Sequence, residues 1–106
     1  MKVLWTEQAF ERLKEISDYI AFDSPQGASA FLDTLIQRGE SLSDFPKSGR
    51  VVPEIDSQDI REVIEGSYRI VYRLKKDTLE ILTVFESRRE LPATKIVQGS
   101  GKPKKK

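Results

Sequence analysis

The sequence predicts an α+β domain in which a helical hairpin packs on one face of an antiparallel sheet, in the order β-α-α-β-β-β. Three observations carry that expectation. Two helical periodicities stand side by side in residues 7–42, separated only by the corner at Phe22-Asp23. Three strand-like runs follow in residues 60–85, joined by turns too short for anything but antiparallel neighbours. The middle run alternates, with Tyr68, Ile70, Tyr72 and Leu74 on one face and Arg69, Val71 and Arg73 on the other.

Taken in order, Lys2–Trp5 reads as a short first strand. Thr6 is the expected N-cap of the first helix, with Glu7 in the first turn where the helix dipole favours a negative charge. Ala9, Leu13, Ile16 and Ile20 recur at helical spacing with Phe10 beside them, while Glu11, Arg12, Lys14, Glu15 and Asp18 fill the other side to about Ala21. Ser24-Pro25 is a capping hydroxyl followed by proline at the first helical position. The second helix carries Ala28, Phe31, Leu32, Leu35, Ile36 and Leu42 on one face, and Gly39 near its end either weakens it or lets it pack closely.

Pro46 and Gly49 end the helical region, and Val51–Asp59, with Pro53, is expected to be a loop or extended connector. Ile60–Glu65, Tyr68–Leu74 and Thr78–Phe85 then form a meander, with Gly66-Ser67 and Lys75-Lys76-Asp77 as its turns. The apolar Thr78–Phe85 run reads as a central strand covered by helices. Residues 1–92 make one domain; residues 93–106, small, polar and ending in lysines, read as a disordered basic tail.

Composition narrows the chemistry. A length of 106 residues supports a single core. With no cysteine and no histidine, the chain lacks thiolate metal sites, disulfides and the commonest general acid/base, so any catalysis falls to Arg, Lys, Tyr or carboxylates. No metal and no cofactor is expected. Neither a membrane-length apolar run nor a signal peptide is visible, which points to the cytoplasm. The net charge of +1 hides an acidic N-terminal half and cationic groups gathered on the C-terminal strands and tail. So mixed a body is a weak electrostatic case for nucleic-acid binding.

What remains is a set of arginines: Arg50, Arg61, Arg69, Arg73, Arg88 and Arg89. Like charges on one sheet face need an anion or a carboxylate among them. Two readings stay open. The guanidinium forks serve a phosphate or an acidic partner, or they pair with Glu62, Glu65, Glu80 and Glu86.

Trp5-Thr6-Glu7-Gln8-Ala9, Phe45-Pro46-Lys47-Ser48-Gly49-Arg50, Ile60-Arg61-Glu62-Val63, Gly66-Ser67-Tyr68-Arg69-Ile70-Val71-Tyr72-Arg73 and Ile81-Leu82-Thr83-Val84 ahead of Arg88-Arg89 together resemble the RelE/ParE superfamily, the toxins of type II toxin–antitoxin modules. The likeness spans Lys2 to Leu91 and implies a small cytoplasmic toxin neutralised by a cognate antitoxin. ParE-like members, linked with plasmid stabilisation, poison DNA gyrase; RelE-like members are mRNA interferases that cut mRNA on the ribosome without metal. On the RelE pattern Arg69 and Arg88 would be catalytic. The lysine of that pattern is missing from Ile60–Glu65, its C-terminal tyrosine has no counterpart after Arg89, and Phe85-Glu86 stands where other ribonuclease members place a histidine. Glu86 or Glu62 would then have to serve as base. The Ile60-Arg61-Glu62-Val63 and Gly66-Ser67-Tyr68 phrasing is closer to ParE-like members. The resemblance therefore implies gyrase inhibition first, with Arg50, Arg61, Arg73 and Arg89 contacting target or antitoxin. The alternatives are a ribonuclease using Arg69, Arg88 and Glu86, and an inactive member that only binds. Oligomeric state is left open.

Overall fold

The chain folds as β1 (Lys2–Trp5), α1 (Glu7–Ala21), α2 (Pro25–Ser41), β2 (Arg50–Val51), β3 (Ile60–Glu65), β4 (Tyr68–Leu74) and β5 (Thr78–Glu86) in a computed structural model that describes residues 1–92 and Ile96. The basic tail expected over 93–106 lies outside the described residues, Ile96 excepted. The capping signals act as expected: the Thr6 hydroxyl accepts from Ala9 N at 3.2 Å and the Ser24 hydroxyl from Gly27 N at 3.0 Å, with Pro25 at the start of α2. Thr6 also donates to the Ile81 carbonyl at 2.9 Å, which ties the start of α1 to β5.

The sheet order is β1-β5-β4-β3-β2, so the Tyr68–Leu74 strand lies at its centre. The β3-β4-β5 meander is antiparallel throughout. Gly66 sits at φ 61° in the two-residue β3–β4 turn, where a side chain would be strained. β1 differs from its partners: it joins β5 in parallel, making the sheet mixed. A parallel neighbour needs a long crossover, and the helical hairpin and meander between β1 and β5 provide it. β2, two residues inside the expected connector region, pairs with β3 as Arg50 opposite Glu62.

The helical hairpin covers one face of the sheet. Ala9, Leu13 and Ile16 of α1 and Leu35 of α2, with Leu42 just beyond α2, pack with Val63, Ile70, Tyr72, Leu79, Ile81 and Val84. Gly39 is where the second helix comes close: a Cβ there would lie 2.6 Å from the Trp5 ring, whose Nε1 donates to Glu40 at 2.8 Å. The far face is covered too, by a second cluster of Val52, Ile60, Val71, Leu82, Phe85, Leu91 and Ile96. A bulge in β5 serves both layers. Val71 opposes Thr83, yet Tyr72 opposes Ile81, so the extra residue switches parity. Ile81 and Val84 thereby reach the helix side while Leu82 and Phe85 reach the other.

Candidate functional site

The far face of the sheet gathers the arginines around carboxylates. Register places Arg50 opposite Glu62, and Arg69 and Arg73 two positions on either side of Val71, which itself opposes Glu62. Residues opposite one another share a face, so Arg50, Glu62, Arg69 and Arg73 all point away from the helices. Arg61 opposes Tyr72 and falls on the helix side.

Arg69 is the centre of this network and only 3% exposed. Its Nη1 donates to Glu62 Oε1 at 3.1 Å and its Nη2 to Glu54 Oε2 at 2.8 Å. Nη2 also donates to the carbonyl of Arg89. Glu62 is equally enclosed, and its other oxygen takes Arg50 Nε at 2.6 Å. Glu54 accepts in turn from Leu91 N at 3.0 Å. One guanidinium and two carboxylates thus fasten the connector, β3, β4 and the segment after β5 to one another. Buried charges persist only when paired and hydrogen-bonded in this way.

The remaining candidates separate. Glu86, at the end of β5, accepts from Arg12 Nη2 at 3.2 Å and Arg89 Nη1 at 3.3 Å, and both guanidiniums stack over Phe85, 5.4 and 4.7 Å from its centroid. Burial pushes the Glu86 carboxyl up, but its own backbone N–H and the two arginines hold it below the usual range. Arg61 donates to Gly49 O at 2.9 Å and to the Gln58 carbonyl at 3.0 Å. Arg73 is half-buried and Arg88 exposed, and neither has an ion pair among the described residues. Arg69 and Arg88 therefore do not share an open surface. Burial holds the Tyr68 and Tyr72 phenols above their ordinary value, so neither is an ionised base near neutral pH. Among the described residues no group of three or more acids gathers as metal ligands, and no helix is long and apolar enough to cross a membrane.

Two partners escape a reading of the sequence. Arg12 looks like part of a solvated helix face, yet its Nε reaches the Val84 carbonyl at 2.8 Å. Glu54 lies in the connector, 15 residues before Arg69, with no local pattern to mark it. Its carboxyl is lowered from 4.5 to about 2, mainly by the Arg69 hydrogen bond and against the opposing effect of burial. A depressed carboxylate stabilises the fold fully above its unfolded value and loses that contribution as pH falls through its folded value. The window here is pH 4.5 down to about 2, and the shift corresponds to about 3 kcal/mol. Glu54→Gln should remove most of that acid-dependent loss, measured by urea unfolding between pH 2 and 7. A variant whose stability falls with acid as steeply as that of the parent would refute the assignment.

With this geometry in place, the comparisons bear on the whole domain. A family model described as "ParE toxin of type II toxin-antitoxin system, parDE" matches residues 3–91. "Putative toxin Y4kP" of Sinorhizobium fredii (strain NBRC 101917 / NGR234) is 33% identical over 91 residues, covering 86% of this chain and 93% of that protein. Among solved structures, the chromosomal ParDE system from P. aeruginosa superposes with a TM-score of 0.68 at 20% identity, over 81% of this chain and 95% of that one. The RelBE2 toxin–antitoxin complex from Mycobacterium tuberculosis superposes with a TM-score of 0.58 at 21% identity, over 80% and 95%.

Proposed function

The chain belongs to the ParE toxin family of type II toxin–antitoxin systems, and on that premise we propose that it acts as a ParE-type binder that inhibits DNA gyrase and is neutralised by a cognate antitoxin. The observation that supports a binder over a nuclease is the closure of Arg69. A guanidinium meant for a phosphate in transition must face the place where charge develops. Arg69 instead spends its Nη donors on Glu54, Glu62 and a backbone carbonyl at 3% exposure. Glu86, the base candidate, is held as a charged acceptor between two arginines, which makes it a weak proton acceptor. The match to a ParE family model over residues 3–91 supports the same reading.

The ribonuclease reading keeps one favourable observation: Arg88 is exposed and has no ion pair among the described residues. The two separate on expression of the chain in a bacterium, with mRNA ends mapped alongside growth. The proposal expects growth arrest with intact mRNA. Codon-positioned cuts that vanish in Arg88→Ala would replace it with the RelE-type reading.

A further inference from the structure

We propose that a cleft at the β4–β5 turn end of the sheet anchors an acidic segment of the cognate antitoxin through a bulky apolar side chain; this rests on the antitoxin partnership proposed for the family. The cleft measures about 930 Å³ and is formed where Met1, the loop after α2 and the β4–β5 turn meet. That is near the upper end of ligand-pocket sizes, roughly 300–1,000 Å³. Its apolar surface comes from Met1, Phe45, Pro46 and Leu74. Phe45 is 72% exposed and Met1 50%, although neither is needed to close the core. An aromatic ring so placed beside an open apolar hollow has the character of an interface hot spot.

The charge of the lining favours an acidic occupant. The arginines that face the far side of the sheet are largely consumed by the chain's own carboxylates, as Arg50, Arg69 and Arg89 show. Lys47 and Lys76, which line the cleft, have no ion pair among the described residues; Lys75 reaches Glu80 at 3.4 Å. Acids on an incoming chain thus meet uncommitted cations here. Arg73 and Arg88 also have no ion pair among the described residues, but neither lines this hollow. Asp44 and Asp59 also line the cleft and leave its three lysines ahead by one charge; carboxylates among the lysines are acceptors that the backbone N–H groups of a polypeptide can use and a bare anion cannot.

The walls are set before anything binds. Tyr72 donates to Pro46 O at 2.7 Å and accepts from Gly49 N at 3.0 Å, which holds the loop. On the opposite wall Leu74 N bonds Asp59 O at 2.7 Å and Lys75 N bonds Thr78 O at 2.8 Å. A preformed cleft of this kind spares the partner the cost of ordering it.

The test titrates the purified 106-residue chain with its purified cognate antitoxin, by calorimetry at two salt concentrations. Phe45→Ser and the double variant Lys47→Glu/Lys76→Glu should each weaken binding at least about tenfold, the double variant also flattening the salt dependence. Lys14→Glu, at a lysine paired with Asp18 on α1, is the charge control and should stay within about twofold. Unaltered binding by the cleft variants, while the parent binds tightly, would overturn the anchor and leave the partnership intact. A parent chain that does not bind the antitoxin would overturn the partnership itself. Should a charge variant misfold, Lys76→Cys in this cysteine-free chain takes a photoreactive label. Cross-linking to an acidic antitoxin segment is then the expected result, and cross-linking only elsewhere defeats the proposal.

Discussion

Arg69→Ala should cost about 3–5 kcal/mol, because it leaves the buried Glu62 and the partly buried Glu54 without their central cation. Glu62 has no exposed side-chain surface, and Arg50, itself 65% exposed, is the one cation left to it among the described ion pairs. Against a total of roughly 5–15 kcal/mol for a domain of this kind, that loss leaves a marginal fold or none. The detachment also releases the Arg89 carbonyl and loosens the Glu54 bond to Leu91 N. Combining Arg69→Met with Glu62→Leu should recover part of the loss, since it removes the buried Arg69–Glu62 pair and leaves only Glu54 without its cation. Denaturant midpoints check this. An Arg69→Ala chain with the parent's midpoint would show the network to be dispensable. Toxicity lost in Arg69→Ala should follow the folded fraction, as expected of a scaffold residue.

Gly49→Ala should destabilise by about 1–3 kcal/mol through crowding alone. A Cβ at that position would stand 2.6 Å from the Glu62 carbonyl oxygen and 2.6 Å from the Tyr72 hydroxyl. Neither atom is the loose end of a side chain: one belongs to β3 and the other is bonded on both sides. If the phenol moves, the Gly49 N–H and the Pro46 carbonyl lose their partner, adding about 1–3 kcal/mol for the buried groups left unsatisfied. Tyr72→Phe alone should show that second cost. In the double variant the two should add to less than their sum, because removing the hydroxyl also removes one of the colliding atoms. Strict additivity in thermal melts would mean that the hydroxyl is not what the new methyl meets. Both changes should also weaken antitoxin binding, since they release the wall that carries Phe45.

Much of this architecture is legible in the residues because local chemistry decides it. Thr6 and Ser24-Pro25 mark helix starts by hydroxyls and a proline, and Gly66-Ser67 marks a turn by backbone freedom. The alternation in Tyr68–Leu74 correctly separates the helix-facing residues from Arg69 and Val71. What lay beyond reach depends on distant chain. Nothing near Lys2–Trp5 says that its neighbour will be Thr78–Ile81 in parallel. The bulge that lets β5 serve two cores is invisible in its apolar run, where period-2 and continuous burial look alike.

The arginine set shows the same division. Its chemistry was readable, and of the acids available in the sequence Glu62 and Glu86 are indeed partners, while Glu65 meets Arg38 and Glu80 meets Lys75. Which arginine would be enclosed depended on Glu54, a residue of the connector, and on the segment after β5 folding back over the sheet. The lysine-lined cleft is likewise assembled from four separate stretches, so no window of sequence contains it.

The most direct measurement adds the purified chain to a DNA gyrase supercoiling reaction, with and without its antitoxin, beside a ribosome-programmed mRNA under the same conditions. The account predicts that supercoiling is inhibited, that antitoxin restores it and that the mRNA stays whole. Undisturbed gyrase together with cleaved mRNA would contradict it.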